Sequence, residues 1–94
     1  MPSNQLAHNG LVKLSEECAE LIQVAMKKIN IGYEWYYYDG QNMHSRLCEE
    51  IGDVLATAQF VIGKLALNPG TIDMRRVEKL KQYAEWDKND MVTQ

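Results

Sequence analysis

Lys13-Leu14-Ser15-Glu16-Glu17-Cys18-Ala19-Glu20-Leu21 and Arg46-Leu47-Cys48-Glu49-Glu50-Ile51-Gly52-Asp53-Val54 read alike: a base, leucine, any residue, two glutamates, two spacers, an acid and an apolar residue. Each copy lies within a longer recurrence of apolar positions at three- and four-residue steps, the mark of an amphipathic helix. Around the first copy the stripe is Leu11, Leu14, Cys18, Leu21, Ile22, Ala25 and Ile29. Around the second it is Leu47, Ile51, Val54, Leu55, Ala58, Val61, Ile62 and Leu65. The first helix is expected to end near Asn30-Ile31-Gly32, and the second to run from a cap at Asn42 to Asn68-Pro69-Gly70. Between them the aromatic stretch from Gly32 to Gln41, broken by Asp39-Gly40, reads as a loop in which Tyr36-Tyr37-Tyr38 has the composition of a short strand. Thr71 is the expected cap of a third helix, with Asp73 in its first turn, an inward stripe of Val77, Leu80 and Ala84, and a tail that frays from Asp87.

These elements define an all-α fold, a helical bundle of two long antiparallel helices plus a third. Gly52, Ala56 and Gly63, with Gln59 nearby, lie on the side of the second helix opposite its main stripe. Interior helical glycine costs about 1 kcal/mol relative to alanine, so two of them in one helix call for a close-packing reason. A helix that packs on two sides in so short a chain needs another copy, so the four-helix-bundle core is expected to be completed by homo-oligomerisation.

Helical phase sorts the acids. At 100° per residue Glu17 and Glu20 project from one flank of the first helix, with Lys13 between them, and Glu16 points further away. Arg46, Glu50, Asp53 and Thr57 share the matching flank of the second, and Glu49 is displaced. Antiparallel packing through the stripes makes the two flanks converge. Four carboxylates in a groove repel and are costly to desolvate unless a cation joins them. Oxygen donors without histidine or thiolate suit magnesium, with manganese as the substitute, better than zinc. Such a centre is equipment for hydrolysis at phosphate, and Lys13 and Arg46, one turn ahead of the ligands, are candidate phosphate contacts. Either motif alone would read as a solvated helix face. Two copies in the same phase argue against that.

The motifs resemble those of the all-alpha nucleoside triphosphate pyrophosphohydrolases, and among them the MazG-like proteins, whose signature is Glu-Glu-x-x-Glu followed after a connecting segment by Glu-Glu-x-x-Asp. Here it stands as Glu16-Glu17-Cys18-Ala19-Glu20 and Glu49-Glu50-Ile51-Gly52-Asp53. The resemblance extends from Leu11 to about Asn68, including Asp53-Val54-Leu55-Ala56 and the Asn68-Pro69-Gly70 turn, and is loose thereafter. It implies magnesium ligation by Glu17, Glu20, Glu50 and Asp53, the same four that helical phase selects. It implies basic substrate contacts at Lys13 and Arg46, and a further one on the third helix, where Arg75, Arg76, Lys79 and Lys81 are all candidates that no motif separates and Lys79 is the one taken. It also implies cleavage of a nucleoside triphosphate between the alpha and beta phosphates, with assembly as a dimer or tetramer. The phosphoribosyl-ATP branch usually carries a Tyr-His pair after the second motif, where this chain has Leu55-Ala56-Thr57-Ala58. Other substrates of the superfamily are a deoxyuridine nucleotide or an alarmone, and a different class altogether is a non-catalytic helical regulatory protein.

Composition bounds these readings. The 94 residues, 46% hydrophobic, suffice for a single domain over 1–94. A formal charge of −3 and a pI near 5.3 argue against a nucleic-acid backbone binder, which needs a basic stripe. Met1-Pro2-Ser3-Asn4-Gln5 opens no leader-like pattern and no stretch is apolar enough to span a bilayer, so a cytoplasmic protein is expected. Cys18 and Cys48 read as packed, reduced thiols without partners at zinc-ligand spacing. His8 and His44 read as isolated, and Met26, Met43 and Met74 as core fillers. Trp35 with Tyr33, Tyr36, Tyr37 and Tyr38 forms either a base-stacking surface or packing, and Trp86 is an expected anchor of the third helix.

Overall fold

The computed structural model describes residues 9–89, and among them all regular structure is helical: α1 (Leu11–Ile31), α2 (Met43–Lys64) and α3 (Pro69–Lys88). His8, read above as isolated, lies outside the described residues. No described helix is long and apolar enough to cross a membrane.

Packing is concentrated where α1 lies against α2. The start of α1 meets the end of α2 at Gly10, so the two helices run antiparallel. Gly10 is buried with φ +91°, and a Cβ there would stand 2.8 Å from Phe60 Cδ2 and 3.0 Å from Val61 Cγ2. Both the left-handed backbone and the missing side chain are therefore required at this corner. At the other end Met43 is fully buried, and its N–H donates to Trp35 O at 2.7 Å, tying the loop to the start of α2. Val24 and Val61 complete the buried apolar set.

Local chemistry explains the boundaries. Asn42 caps α2 as expected, its Oδ1 accepting from the N–H groups of His44 and Ser45 at 2.9 and 3.2 Å. Helix α2 ends earlier than the Asn-Pro-Gly stop, at Lys64. Ala66, at φ 50°, takes the left-handed position of a reversal in which Leu67 N–H donates to Ile62 O and Ala66 N–H to Gly63 O. Helix α3 starts two residues before Thr71. Asn68 is its cap, accepting from Thr71 N–H at 3.1 Å, and Pro69 opens the helix because its fixed φ suits the first turn and its missing N–H costs nothing there. The helix continues through Asp87 to Lys88 instead of fraying.

The aromatic segment forms no strand. Tyr36 and Asn42 make an isolated antiparallel bridge around a tight turn, in which Gly40 N–H donates to Tyr37 O and Gln41 N–H to Asp39 Oδ1. Lys28, in the last turn of α1, clamps this segment: its Nζ donates to the carbonyls of Gly32 and Glu34 and lies 3.9 Å from the Trp35 ring centroid.

The expected inward stripes are only half covered. Ile22, Met26, Ile29, Leu55 and Met74 are exposed, Ile29 at 69% and Leu55 at 65%, so Met26 and Met74 are not core fillers. Helix α3 buries none of its residues, and Trp86 packs on its own helix, 4.9 Å from the Tyr83 ring. The reason is geometric. One antiparallel pair covers a single side of each helix, and α3 leads away from that pair.

Candidate metal centre

Two charged side chains are buried among the described residues, Glu17 at 8% and Glu50 at 4% exposure. They are the second glutamates of the two motifs, and their environments repeat. Glu17 Oε1 pairs with Lys13 Nζ at 3.4 Å, and Glu50 Oε1 pairs with Arg46 Nη2 at 3.1 Å, each cation lying one turn earlier on the same helix. The other oxygen of each, Oε2, is buried without a hydrogen-bond partner. A carboxylate oxygen left so is expensive, because it has given up water and received nothing.

Asp53, one turn beyond Glu50, is exposed at the edge of this pair. Oxygens of Glu17, Glu50 and Asp53 all lie within 4.8 Å of one another. Burial raises the Glu50 pKa above its ordinary value of 4.5. Arg46 opposes the rise, and the negative charges of Glu20, Asp53 and Glu17 add to it. Glu20 thus acts on Glu50 through its field, while its own oxygens are not in the close trio.

Glu16 and Glu49 are exposed, as helical phase required, and each shares the motif's cation: Glu16 Oε2 is 3.5 Å from Lys13 Nζ, and Glu49 Oε1 is 3.5 Å from Arg46 Nη1. Each base is therefore forked between an outer and an inner glutamate. The Lys13 pKa is raised by the Glu17 hydrogen bond first and then by Glu16. Lys79 is not brought to this centre. It lies on α3, outside the α1–α2 crossing, with its Nζ 3.3 Å from Gln82 Oε1. Arg75 pairs with Glu78 and Arg76 with Asp73 along the same helix.

The cysteine and histidine readings need correction. Cys18 is half-buried, but Cys48 is exposed instead of packed, and both are free thiols. His44 is not isolated: its Nδ1 lies 3.8 Å from Cys48 Sγ, four residues on along α2. The signal was present in the sequence as His-x-x-x-Cys on a helix, which puts both side chains on one face.

Compared with protein families, curated proteins and solved structures, the chain has no significant match to any of them. The functional reading therefore rests on the geometry and on the motifs.

Proposed function

We propose that the chain is a magnesium-dependent nucleotide pyrophosphohydrolase that adds water to a (deoxy)nucleoside triphosphate between the alpha and beta phosphates, releasing a monophosphate and pyrophosphate. The observation that carries this reading is that Glu17 and Glu50 are each buried with one oxygen lacking a partner, and that one carboxylate oxygen from each of Glu17, Glu50 and Asp53 lies within 4.8 Å of the others. A donor set of carboxylate oxygens alone fits a hard divalent cation, magnesium or manganese. When bound, such an ion supplies positive charge to phosphate oxygens and makes a coordinated water a better nucleophile. Glu17, Glu50 and Asp53 hold it, and Glu20 completes the acidic set from the next turn of α1.

The remaining residues act by position. Lys13 and Arg46 fix the rotamers of Glu17 and Glu50, and their side chains, 62% and 40% exposed, keep N–H groups at the rim where a triphosphate arrives. The motif resemblance to the MazG-like proteins supports the substrate class. Pyrophosphate release measured over a panel of nucleotides with magnesium tests the reading, and no release from any nucleotide with magnesium or manganese would sink it.

We also propose that a second copy completes a four-helix bundle. The Cα radius of gyration is 16.4 Å, against about 12 Å for a compact domain of this length. Exposed Ile22, Ile29, Leu55 and Phe60, together with an α3 that buries nothing, offer apolar side chains for a second copy to cover. Gly52 and Gly63 meet nothing within 4 Å of an added Cβ, so the small-residue side of α2 is open for close approach. In such an assembly α3 and Lys79 can approach a neighbouring centre.

A further inference from the structure

His44 and Cys48 project from the first two turns of α2, both exposed, with Nδ1 and Sγ 3.8 Å apart. The backbone beneath them is fixed by the Asn42 cap, which accepts from the His44 N–H. The ring of His44 is held edge-on against Trp35, with centroids 5.5 Å apart and planes at 74°, and Trp35 is itself covered by the Lys28 ammonium. A histidine so placed has fewer rotamers to lose when it binds something.

The separation matches a chelate. With zinc–sulfur and zinc–nitrogen bonds of about 2.3 and 2.0–2.1 Å, a 3.8 Å donor separation subtends about 120° at the ion, close to the tetrahedral angle. A shift of a few tenths of an ångström in either side chain would close the remainder. Thiolate and imidazole are the donors that zinc-class cations prefer and magnesium does not. The acidic centre is on another side of the helix: at 100° per residue Glu50 lies about 160° around α2 from Cys48. Arg46, the nearest guanidinium on this helix, is occupied by Glu49 and Glu50. No cation of α2 therefore competes for the pair.

We propose that His44 and Cys48 form a bidentate site for a thiophilic divalent cation of the zinc class, separate from the carboxylate centre. The imidazole gives the Nδ1 lone pair, the thiol proton passes to solvent as sulfur binds, and water fills the other positions. Helix α2 thus contributes ligands to two sites of opposite chemical preference, one shared with Glu17 of α1.

Cobalt(II) is the probe, added to the full-length chain in reducing buffer with excess magnesium to occupy the carboxylates. The expected result is a thiolate-to-cobalt charge-transfer band in the near ultraviolet that zinc abolishes by displacement. Cys48→Ser should remove the band, and His44→Ala should weaken cobalt and zinc binding about tenfold or more, since even loss of a ligand's outer partner costs about 10–100-fold. Cys18→Ser and Glu50→Gln should leave it in place. Both His44 and Cys48 are exposed, so unchanged helix content by circular dichroism is expected in each variant. A band that survives Cys48→Ser, one that disappears with Cys18→Ser, or no band at millimolar cobalt overturns the proposal.

Discussion

Glu17 and Glu50 face one another where α1 crosses α2, each with one oxygen paired to a base on its own helix and the other buried without a partner. Arg46 or Lys13 offsets half of each carboxylate's need, and one oxygen from each of Glu17, Glu50 and Asp53 lies within 4.8 Å of the others. Two such oxygens repel. A fold that keeps them adjacent and dry in the absence of a cation spends stability on the arrangement, and several measurable consequences follow from that.

Glu50→Gln preserves shape and removes a charge and a strong ligand. Pyrophosphate release should fall roughly a hundredfold or more, since even outer partners of metal ligands are worth about 10–100-fold. Glu49→Gln is the control, because Glu49 is exposed and touches only Arg46. Steady-state rates of the two variants side by side decide the matter, and equal losses would end the distinction drawn from helical phase.

Magnesium should stabilise the folded chain by mass action. At ten times its Kd a ligand of the native state contributes about 1.4 kcal/mol, worth about 5–10 °C in Tm for a domain of this size. Differential scanning fluorimetry with magnesium and with chelator reads this directly. Identical melting curves in both would mean that the trio binds no ion.

The raised Glu50 pKa fixes the sign of an acid effect. A carboxyl that holds its proton more tightly when folded contributes stability fully present below its unfolded value of about 4.5, and that contribution is lost as pH rises through the higher folded pKa. Metal-free protein should therefore lose this contribution as pH rises above about 4.5 and through the raised folded pKa. Glu50→Gln should flatten that slope, and saturating magnesium, which binds the ionised form, should oppose it. Denaturant titrations across the pH range test all three.

Gly10→Ala should destabilise by about 1–3 kcal/mol, because the backbone is left-handed there and the new methyl meets the Phe60 ring. A shift of the urea midpoint with unchanged slope would report it. No shift would mean that the corner relaxes freely.

Gly52→Leu should impair assembly more than helix content, since its added side chain meets nothing within the same chain. Sedimentation should show association for the wild type and its loss in the variant. A wild-type chain that stays folded, active and monomeric at micromolar concentration would refute completion of the bundle by a second copy.

Much of the site was legible because a helix has a fixed period. That period separated Glu17 and Glu50 from Glu16 and Glu49 before any packing was known. It could not say how far each helix is rotated about its axis when the two pack. Asp53 was turned into the close trio and Glu20 was not, and that choice belongs to contacts such as Gly10 against Phe60 and Val61. The Asn68-Pro69 pair was read as a stop, yet the same residues cap and open α3, since proline ends one helix and suits the first turn of the next. The helices stood where the apolar periodicity put them, but periodicity does not say whether a stripe is covered: Ile29 and Leu55 are exposed, and Val77 and Leu80 of the expected α3 stripe are exposed as well. His44 and Cys48, read separately as an isolated histidine and a packed thiol, are four residues apart, and one helical turn brings them together.

The corner at Ala66 has a mechanical consequence. Helix α3 spans 20 residues, about 30 Å at 1.5 Å per residue, and buries no side chain along the way. Its bearing is therefore set by the few backbone torsions between Lys64 and Pro69, which makes it a lever. Tyr83 and Trp86 lie about 21 and 26 Å along the helix from Pro69, so a rotation of about 10° at that pivot carries them through roughly 4 Å. Small torsional changes beside a left-handed alanine are thereby converted into displacement of an aromatic tip at the far end of the molecule.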